Sequence, residues 1–411
     1  MRVAIIGGGA AGMMCAAAIN EQNPDLDVFL IDKNDSLGKK VIISGGGRCN
    51  VTTGIQDVRI VLSKYPRGSK FLSSAMFSFS PLAVYEWFEA HGVPLKCEDD
   101  MRVFPVSNQG QDVVSIFEKL FANHNTEILF NYQVKSIKKV GKEFIISFKD
   151  KSSLAVDKVI LTTGGQAYRQ TGSTGDGYSL AESLGHHITE LAPSLSSLNC
   201  KEVWPEEVAG VSLTKATFEA KGKKIYKFTG PFVFTHWGVS GPAVFALSSL
   251  IAFEKFSEAE PLQIYLDLVP DLSKNEVLLK IKNFMESDPK KLFKYALHQI
   301  TPLALATLAV EQLGILREKK NNEISKKELQ QAVEWFKKLP LIITGRRAGD
   351  EFVTAGGVDL AEVNSSTMES KICPGLYFAG EILNIDGYTG GFNLQASWAT
   401  GHLAGVKSSV G

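Results

Sequence analysis

The chain has 411 residues, 44% of them hydrophobic, with 44 basic and 44 acidic side chains. That is long enough for two or three domains with a sizeable core. A formal net charge of zero excludes a global basic field advertising nucleic acid and leaves only local patches.

Met1 leads directly into an apolar strand with no charged and apolar leader ahead of it, so no signal peptide and a soluble, cytoplasmic protein are expected. The most apolar later stretch, residues 239–253, is too short and too interrupted by Ser, Gly and Pro to span a bilayer. Cys15, Cys49, Cys97, Cys200 and Cys373 are odd in number and scattered, without C-x-x-C or zinc spacing, which implies a reducing compartment, no metal and no redox pair beside a cofactor.

In chain order, Val3 to Ile6 is a short β-branched run of the kind a buried parallel strand requires. Gly7, Gly9 and Gly12 then fall on G-x-G-x-x-G spacing: Gly7 permits the turn, Gly9 lets backbone approach a diphosphate, and Gly12 lets the next helix pack on the strand. That helix, Ala10 to Gln22, aims its positive end at the phosphates. A second strand, Asp27 to Ile31, delivers Asp32 about twenty residues after the last glycine, where a carboxylate accepts ribose hydroxyls and disfavours a 2′-phosphate. FAD or NAD therefore fits better than NADP.

Ser44-Gly45-Gly46-Gly47-Arg48-Cys49-Asn50 follows, a loop whose glycines bring bare backbone toward a ligand, with Lys39, Lys40 and Arg48 placed to hold an anion or a flavin edge. Helical periodicity covers 80–89 and 113–122. The runs 128–130, 134–138, 143–148 and 153–156 read as a strand entering a small antiparallel meander, and 159–161 as another buried strand closing in Thr163-Gly164-Gly165. A helix is expected over 178–184.

Past Pro193 the character shifts. Runs 213–220 and 223–228 turn at Lys221-Gly222, 232–235 is a further β run, and His236 to Pro242 opens a helix. Segment 264–268 reads as a strand, followed by a helical block in which Ser325 and Glu328 form a capping-box pattern. The chain then returns through an apolar strand to Gly380-Glu381, and Asp386 to Asn393 opens a last helix, about 394–407. The expected architecture is α/β: a Rossmann-type domain, 1–191 and 346–411, interrupted by a β-rich domain, 192–345, with a helical subdomain about 273–338.

Gly-Lys-Lys before the triple-glycine loop (38–50), Arg102-Val103-Phe104-Pro105, His236-x-Gly-x-Ser-Gly-Pro, Val353-Thr354-x-Gly-Gly-Val, Thr367 to Ser370 and the closing run 375–395 resemble the BaiN/RdsA-like (YhiN) flavoproteins. The resemblance covers nearly the whole chain. It implies an FAD-binding Rossmann-type domain interrupted by a β-barrel-like domain with a helical insert. It also implies reduction of a uracil in large-subunit ribosomal RNA, reduction of an oxidised bile acid, or oxidation of a small amine such as aminoacetone. Candidate FAD contacts are Gly7, Gly9, Ala10, Ala11, Gly12, Asp32, Lys33, Lys39, Lys40, Ser44, Gly45, Gly46, Gly47, Arg48, Cys49, Asn50, Val134, Thr163, Gly164, Gly165, Gly380, Glu381, Asp386, Gly390, Gly391, Phe392, Asn393 and Gln395.

Reduction of a double bond needs a general acid beside the hydride donor, and Cys49, Tyr388 and His236 are the candidates from glycine-rich loops. Each also fits a structural role: a packed small residue, a wall and a capping histidine. Trp237 offers a stacking surface, and the basic pairs 319–320, 326–327, 337–338 and 346–347 read either as a face for ribosomal RNA or as solvated helix surface. No second G-x-G-x-x-G follows, so NAD(P)H is expected to visit the flavin transiently or to be replaced by another donor. A flavin-binding redox sensor without turnover is the non-enzymatic alternative.

Overall fold

The computed structural model describes residues 1–410. Its contacts divide the chain into two compact units: Met1–Ser194 with the chain from Phe352 onward, and Leu195–Glu351.

The first unit is built on a five-stranded parallel sheet. Its order is Leu376–Phe378, Lys158–Leu161, β1 (Arg2–Ile6), β2 (Asp27–Ile31) and Thr126–Leu129. Val3, Ala4, Ile5, Val159, Ile160 and Leu161 are fully buried, as continuous apolar strands of a covered sheet must be. Helix α1 (Ala10–Gln22) has the expected limits. The last strand of the chain pairs with Lys158–Leu161 in the register Val159↔Leu376, so the C-terminal segment does rejoin the N-terminal sheet.

The C-terminal helix, Phe392–Ser408, lies along α1. Its Gly401 and Gly405 make the contact: a Cβ would stand 2.3 Å from the Ala11 carbonyl oxygen and 2.5 Å from that of Cys15. The meander forms as the three strands Val134–Val140, Glu143–Phe148 and Leu154–Val156. Ala192–Ser194 and Val353–Ala355 pair antiparallel where the chain leaves and re-enters this unit.

The second unit is a closed six-stranded antiparallel barrel in the order Leu198–Cys200, Gly238–Ser240, Ile225–Thr235, Ser212–Lys221, Leu262–Asp267 and Leu339–Arg346. Between the last two strands lie the helices Lys274–Ser287, Phe293–Leu297, Leu303–Gln312 and Lys326–Lys337. Both Ser325/Glu328 and Ser273/Glu276 form reciprocal capping boxes.

Two expectations are corrected. The runs 223–228 and 232–235 are one strand: Pro231 is exposed and stands where the register slips between Leu213 and Ala216, so its missing N–H breaks no ladder bond. The helix expected over 178–184 begins earlier, at Asp176, and ends at Ser183. Among the described residues no helix is long and apolar enough to cross a membrane, and no cluster of His, Cys, Asp and Glu could hold a metal.

Two imidazoles, buried His186 and half-buried His402, tie the first unit to pH. His402 stacks on Phe79, centroids 4.2 Å apart, and His186 sits between Glu362 (3.1 Å) and Ser370 (2.8 Å). Burial lowers both pKa values below the ordinary 6.5, with Glu21 and Glu362 opposing. The unfolded chain therefore binds these protons more readily, so stability present above about pH 6.5 is lost as pH falls through the lowered values.

The thermal midpoint should accordingly fall between about pH 7 and 5, and His402→Phe should flatten part of that fall in a pH series of melts. Gly401→Ala or Gly405→Ala should cost about 1–3 kcal/mol through overpacking. Gly345→Ala, whose Cβ would meet nothing within 4 Å, should stay within about 0.5 kcal/mol in the same denaturation assay.

Candidate functional site

Parallel strands end on one edge, so the segments after β1, β2, Lys158–Leu161 and Leu376–Phe378 come together there. The first is the glycine turn. A Cβ on Gly7 would stand 2.5 Å from the Thr162 carbonyl oxygen and one on Gly12 1.9 Å from that of Gly7, so both glycines answer to packing. Thr162 seals the contact, its hydroxyl donating to the carbonyls of Ile6 (3.0 Å) and Gly7 (2.8 Å).

Gly9 differs: a Cβ there would meet no atom within 4 Å. It caps α1 without a side-chain hydrogen bond, and no acidic residue lies in the first turn. The open glycine and the uncapped amides of Ala10, Ala11 and Gly12 fit a diphosphate, which has the charge to meet the helix end and no Cβ to clash with.

Asp32 lies beside this turn. One carboxylate oxygen accepts the Gly8 N–H (2.7 Å) and the other the Asn34 N–H (2.8 Å), so it holds the glycine turn to its own loop. The Tyr132 N–H donates to the Asp32 carbonyl (3.0 Å), which brings the strand beginning at half-buried Val134 to the same rim. Lys33 turns to Thr174 and Asp176, both at 2.5 Å. Its neighbour Lys39 pairs with Asp35.

A second cluster joins the chain's two ends. Lys40 Nζ lies 2.7 Å from Glu381, whose other oxygen accepts the Thr354 N–H (2.9 Å). A Cβ on Gly165 would strike Thr354 Oγ1 at 2.5 Å and Glu381 at 2.9 Å. Gly164 and Gly380 are in the left-handed region, and Gly380 presses against Ala11. Here the buried Thr163 Oγ1 and Tyr178 Oη have no partner among the described residues. Burial, with Glu381 adding, pushes the Tyr178 hydroxyl well above its ordinary pKa. Two orphaned hydroxyls at a glycine-lined strand end fit a polar ligand chain. Thr354 belongs to the family motif at 353–358 but carries no site expectation, and Tyr178 carries none either: a tyrosine at helical spacing reads as core, and only the fold brings it to Glu381.

The triple-glycine loop follows a short helix, Lys39–Ile43, outside the elements predicted from sequence. Ser44 to Gly47 turns with Gly45 and Gly46 left-handed, and Gly46 and Gly47 are exposed with nothing within 4 Å of a Cβ. Arg48 covers Phe104, 3.7 Å from its centroid, and pairs with Glu98 at 2.6 Å. Cys49 is fully buried, and burial pushes its thiol up to about 12.

The Asn50 amide, oriented to suit its neighbours, accepts the Gly391 N–H (2.9 Å) and donates to the Thr52 carbonyl (3.1 Å). A Cβ on Gly391 would stand 2.2 Å from that same carbonyl oxygen. Gly391 caps the C-terminal helix, which starts at buried Phe392, two residues earlier than expected, with no acid in its first turn. Gly390 is also left-handed. The Asn393 side chain closes the turn through Gly387, at 2.8 Å and 2.9 Å. Gln395 is buried, bonded to Thr52 (2.6 Å) and Phe79 (3.0 Å).

Asp386 is fully buried, held by both Arg67 nitrogens Nε and Nη2 and by the Ser194 hydroxyl at 2.8 Å. Arg67, outside every motif, carried no sequence signal. Burial keeps the half-buried Tyr388 hydroxyl above its ordinary pKa, with Arg67 opposing and Asp386 adding. His236 is apart from these residues in the chain's division: it lies exposed in the tight turn between Ile225–Thr235 and Gly238–Ser240 of the second unit, beside Trp237, which Arg347 covers at 4.5 Å.

Comparisons with known proteins agree with this layout. The family described as HI0933-like protein Rossmann domain matches residues 1–407. A 3-dehydro-bile acid delta(4,6)-reductase of Clostridium scindens is 30% identical over 406 residues, covering 98% of each chain. Ribosomal RNA dihydrouridine synthases of Haemophilus influenzae and Escherichia coli are each 28% identical, covering 98% of both chains in the first case and 96% and 95% in the second.

Among solved structures, Escherichia coli quinol fumarate reductase matches with a TM-score of 0.50 at 15% identity, covering 100% of this chain and 70% of that one. The 3-ketosteroid delta1-dehydrogenase of Sterolibacterium denitrificans matches with a TM-score of 0.50 at 12% identity, over 99% of both. These two likenesses show the fold.

The two kinds of glycine make separable predictions. Gly9→Ala should fold with an unchanged thermal midpoint of the apoprotein yet lose bound flavin absorbance. Gly12→Ala, with its Cβ against Gly7, should lower the midpoint itself by overpacking.

Proposed function

We propose, for a chain that belongs to the HI0933-like family and is an FAD-dependent oxidoreductase, that it reduces a carbon–carbon double bond conjugated to a carbonyl, with a uracil of large-subunit ribosomal RNA as substrate and NAD(P)H as electron donor. The observation that carries the substrate is the likeness to two ribosomal RNA dihydrouridine synthases over nearly the full length of both. A second reading, a steroid-like enone, is favoured by the 30% identity to a bile acid reductase. Both readings use the same chemistry at the same site.

Bound FAD would supply hydride transfer, and the protein must supply position, electrostatics and a proton. In this reading the Gly7–Gly12 turn and the first amides of α1 receive the pyrophosphate, and the rim at Asp32 and Val134 receives the adenosine. The strand ends at Thr163, Gly165 and Glu381 line the chain between phosphate and ring. The loop 44–50 and the first turn of the C-terminal helix bound the ring itself, the helix end favouring the negative charge that reduction creates.

Tyr388 is the proton donor we favour. It stands on the loop between Asp386 and Gly391, beside the Arg67–Asp386 pair, and its raised pKa keeps the proton on it through neutral pH. Cys49 is enclosed on all sides and acts as packing under the glycine loop. Among the described residues no hydrogen bond orients the exposed His236 ring, which makes it the weaker acid candidate.

Mass-spectrometric mapping of large-subunit ribosomal RNA from cells with and without the gene tests the substrate. A dihydrouridine lost with the gene and restored by it is expected; an identical map would turn the search to steroid-like enones. Tyr388→Phe should slow double-bond reduction by about 10²–10⁴-fold while reduction of bound flavin by NAD(P)H, followed by absorbance, stays at the wild-type rate.

A further inference from the structure

The second unit carries a surface for which the flavin site has no use. Helix Lys326–Lys337 buries Leu329, Ala332, Val333 and Phe336. Its other side, with Leu313 and the half-buried Trp335, lines an open groove of about 440 Å³ that includes Lys327, Gln330, Glu334 and Lys338. Glu334 is already engaged by Lys274, at 2.5 Å and 2.8 Å.

Lys327 and Lys338 form no ion pair among the described residues. Nor do several of the basic residues expected to form an RNA face stay available. Lys319 pairs with Glu328 and Lys337 with Asp267. Arg346 is buried against the Ile251 and Ala252 carbonyls, its pKa lowered to about 10 by that burial.

Lys338 leads out of the groove. Its Nζ lies 4.8 Å from the centroid of Tyr265, and Lys221 approaches the same ring at 5.4 Å. Beyond Lys221 the hairpin tip carries exposed Lys223 and Lys224, the latter 5.3 Å from the Tyr226 ring. Rings and ammonium groups therefore alternate: Trp335, Lys338, Tyr265, Lys221. Of the carboxylates nearby, Glu334 and Glu254 are engaged. Glu219 stands opposite Tyr265 and Lys227 in the strand register and forms no ion pair among the described residues, so it is the one free acid beside the track; Glu254 accepts from the Tyr226 hydroxyl (2.5 Å) and the Lys223 N–H (3.2 Å).

We infer that the Trp335 groove and the Lys338–Tyr265–Lys221 track dock single-stranded RNA, with a base stacking on Trp335 and phosphates meeting the lysines gathered at the Tyr265 ring. Charge alone would suit any polyanion. The alternation of ring and ammonium suits one whose anionic groups alternate with planar faces. The inference rests on the ribosomal RNA reading above and extends it from the reacting base to the strand that carries it.

The test is fluorescence anisotropy of a labelled single-stranded oligouridylate with the full-length, FAD-loaded protein across a salt series. Lys221→Glu with Lys338→Glu should weaken binding by at least about tenfold and make the log–log salt slope shallower by about 1.4, the value for two phosphate contacts on a single strand. Trp335→Leu should weaken binding with the slope unchanged. Lys135→Glu with Lys138→Glu, in the meander of the first unit, should leave both alone. Flavin absorbance and the thermal midpoint report that each variant is folded.

Wild-type binding that ignores the Lys221 and Lys338 reversals, or equal affinity for a polyglutamate of the same charge, would overturn the track while leaving the RNA substrate standing. No binding by the wild type overturns the track as well. The dihydrouridine map then decides separately whether the substrate reading also falls.

Discussion

The first unit depends on how closely backbone approaches backbone around α1. On one side the helix sits on β1 because Gly12 lets it meet the Gly7 carbonyl, and Thr162 bonds to the same carbonyl from the neighbouring strand. On the other side Gly401 and Gly405 bring the C-terminal helix against the carbonyls of Ala11 and Cys15, and Gly380 touches Ala11. These contacts leave no room for a side chain, so the positions of the strand ends follow from them. A glycine stripe of this kind exchanges side-chain area for close approach, and here it sets the two helices side by side.

Ion pairs then fasten segments far apart in sequence. Lys40 and Glu381 join the loop after β2 to the segment after the last strand, and Arg67, Asp386 and Ser194 join three segments at one buried carboxylate. A carboxylate so enclosed is tolerable only with its partners present, and removing either would leave a stranded charge. The pair thereby holds the loop bearing Tyr388, alongside the packing of Ile385 and Phe392 into the core. Because Ser194 is the last residue of its unit before the barrel segment, the same carboxylate also anchors the point of departure of the chain.

Insertion of the barrel costs the first unit little, since the chain leaves and returns through two short strands paired with each other, Ala192–Ser194 and Val353–Ala355. The barrel closes on itself and the helices between its last two strands cover their own apolar faces, so their surfaces are left to vary. It is on that surface that lysines and rings alternate.

Much of this was legible in the primary structure because it rests on local rules. The G-x-G-x-x-G turn, the acid after β2, the limits of α1 and the return of the last strand follow from residue spacing and apolar runs, whose physical cause lies within a few residues. Chain-order reading failed where the cause was a distant neighbour. The strand through Pro231 is continuous because an irregularity in its partner makes the missing N–H harmless.

Arg67, Tyr178 and Thr354 gained their places only when the sheet brought Asp386 and Glu381 to them. Gly9 and Gly12 look alike in sequence; one faces open space and the other a carbonyl 1.9 Å from its virtual Cβ. The chain by itself determined which segments become strands, helices and turns, since those are set by backbone preference and hydrophobic period. Which charges pair, which hydroxyls stay without partners and which glycines face a ligand were decided by the tertiary structure, because each is a relation between residues that sequence distance does not encode.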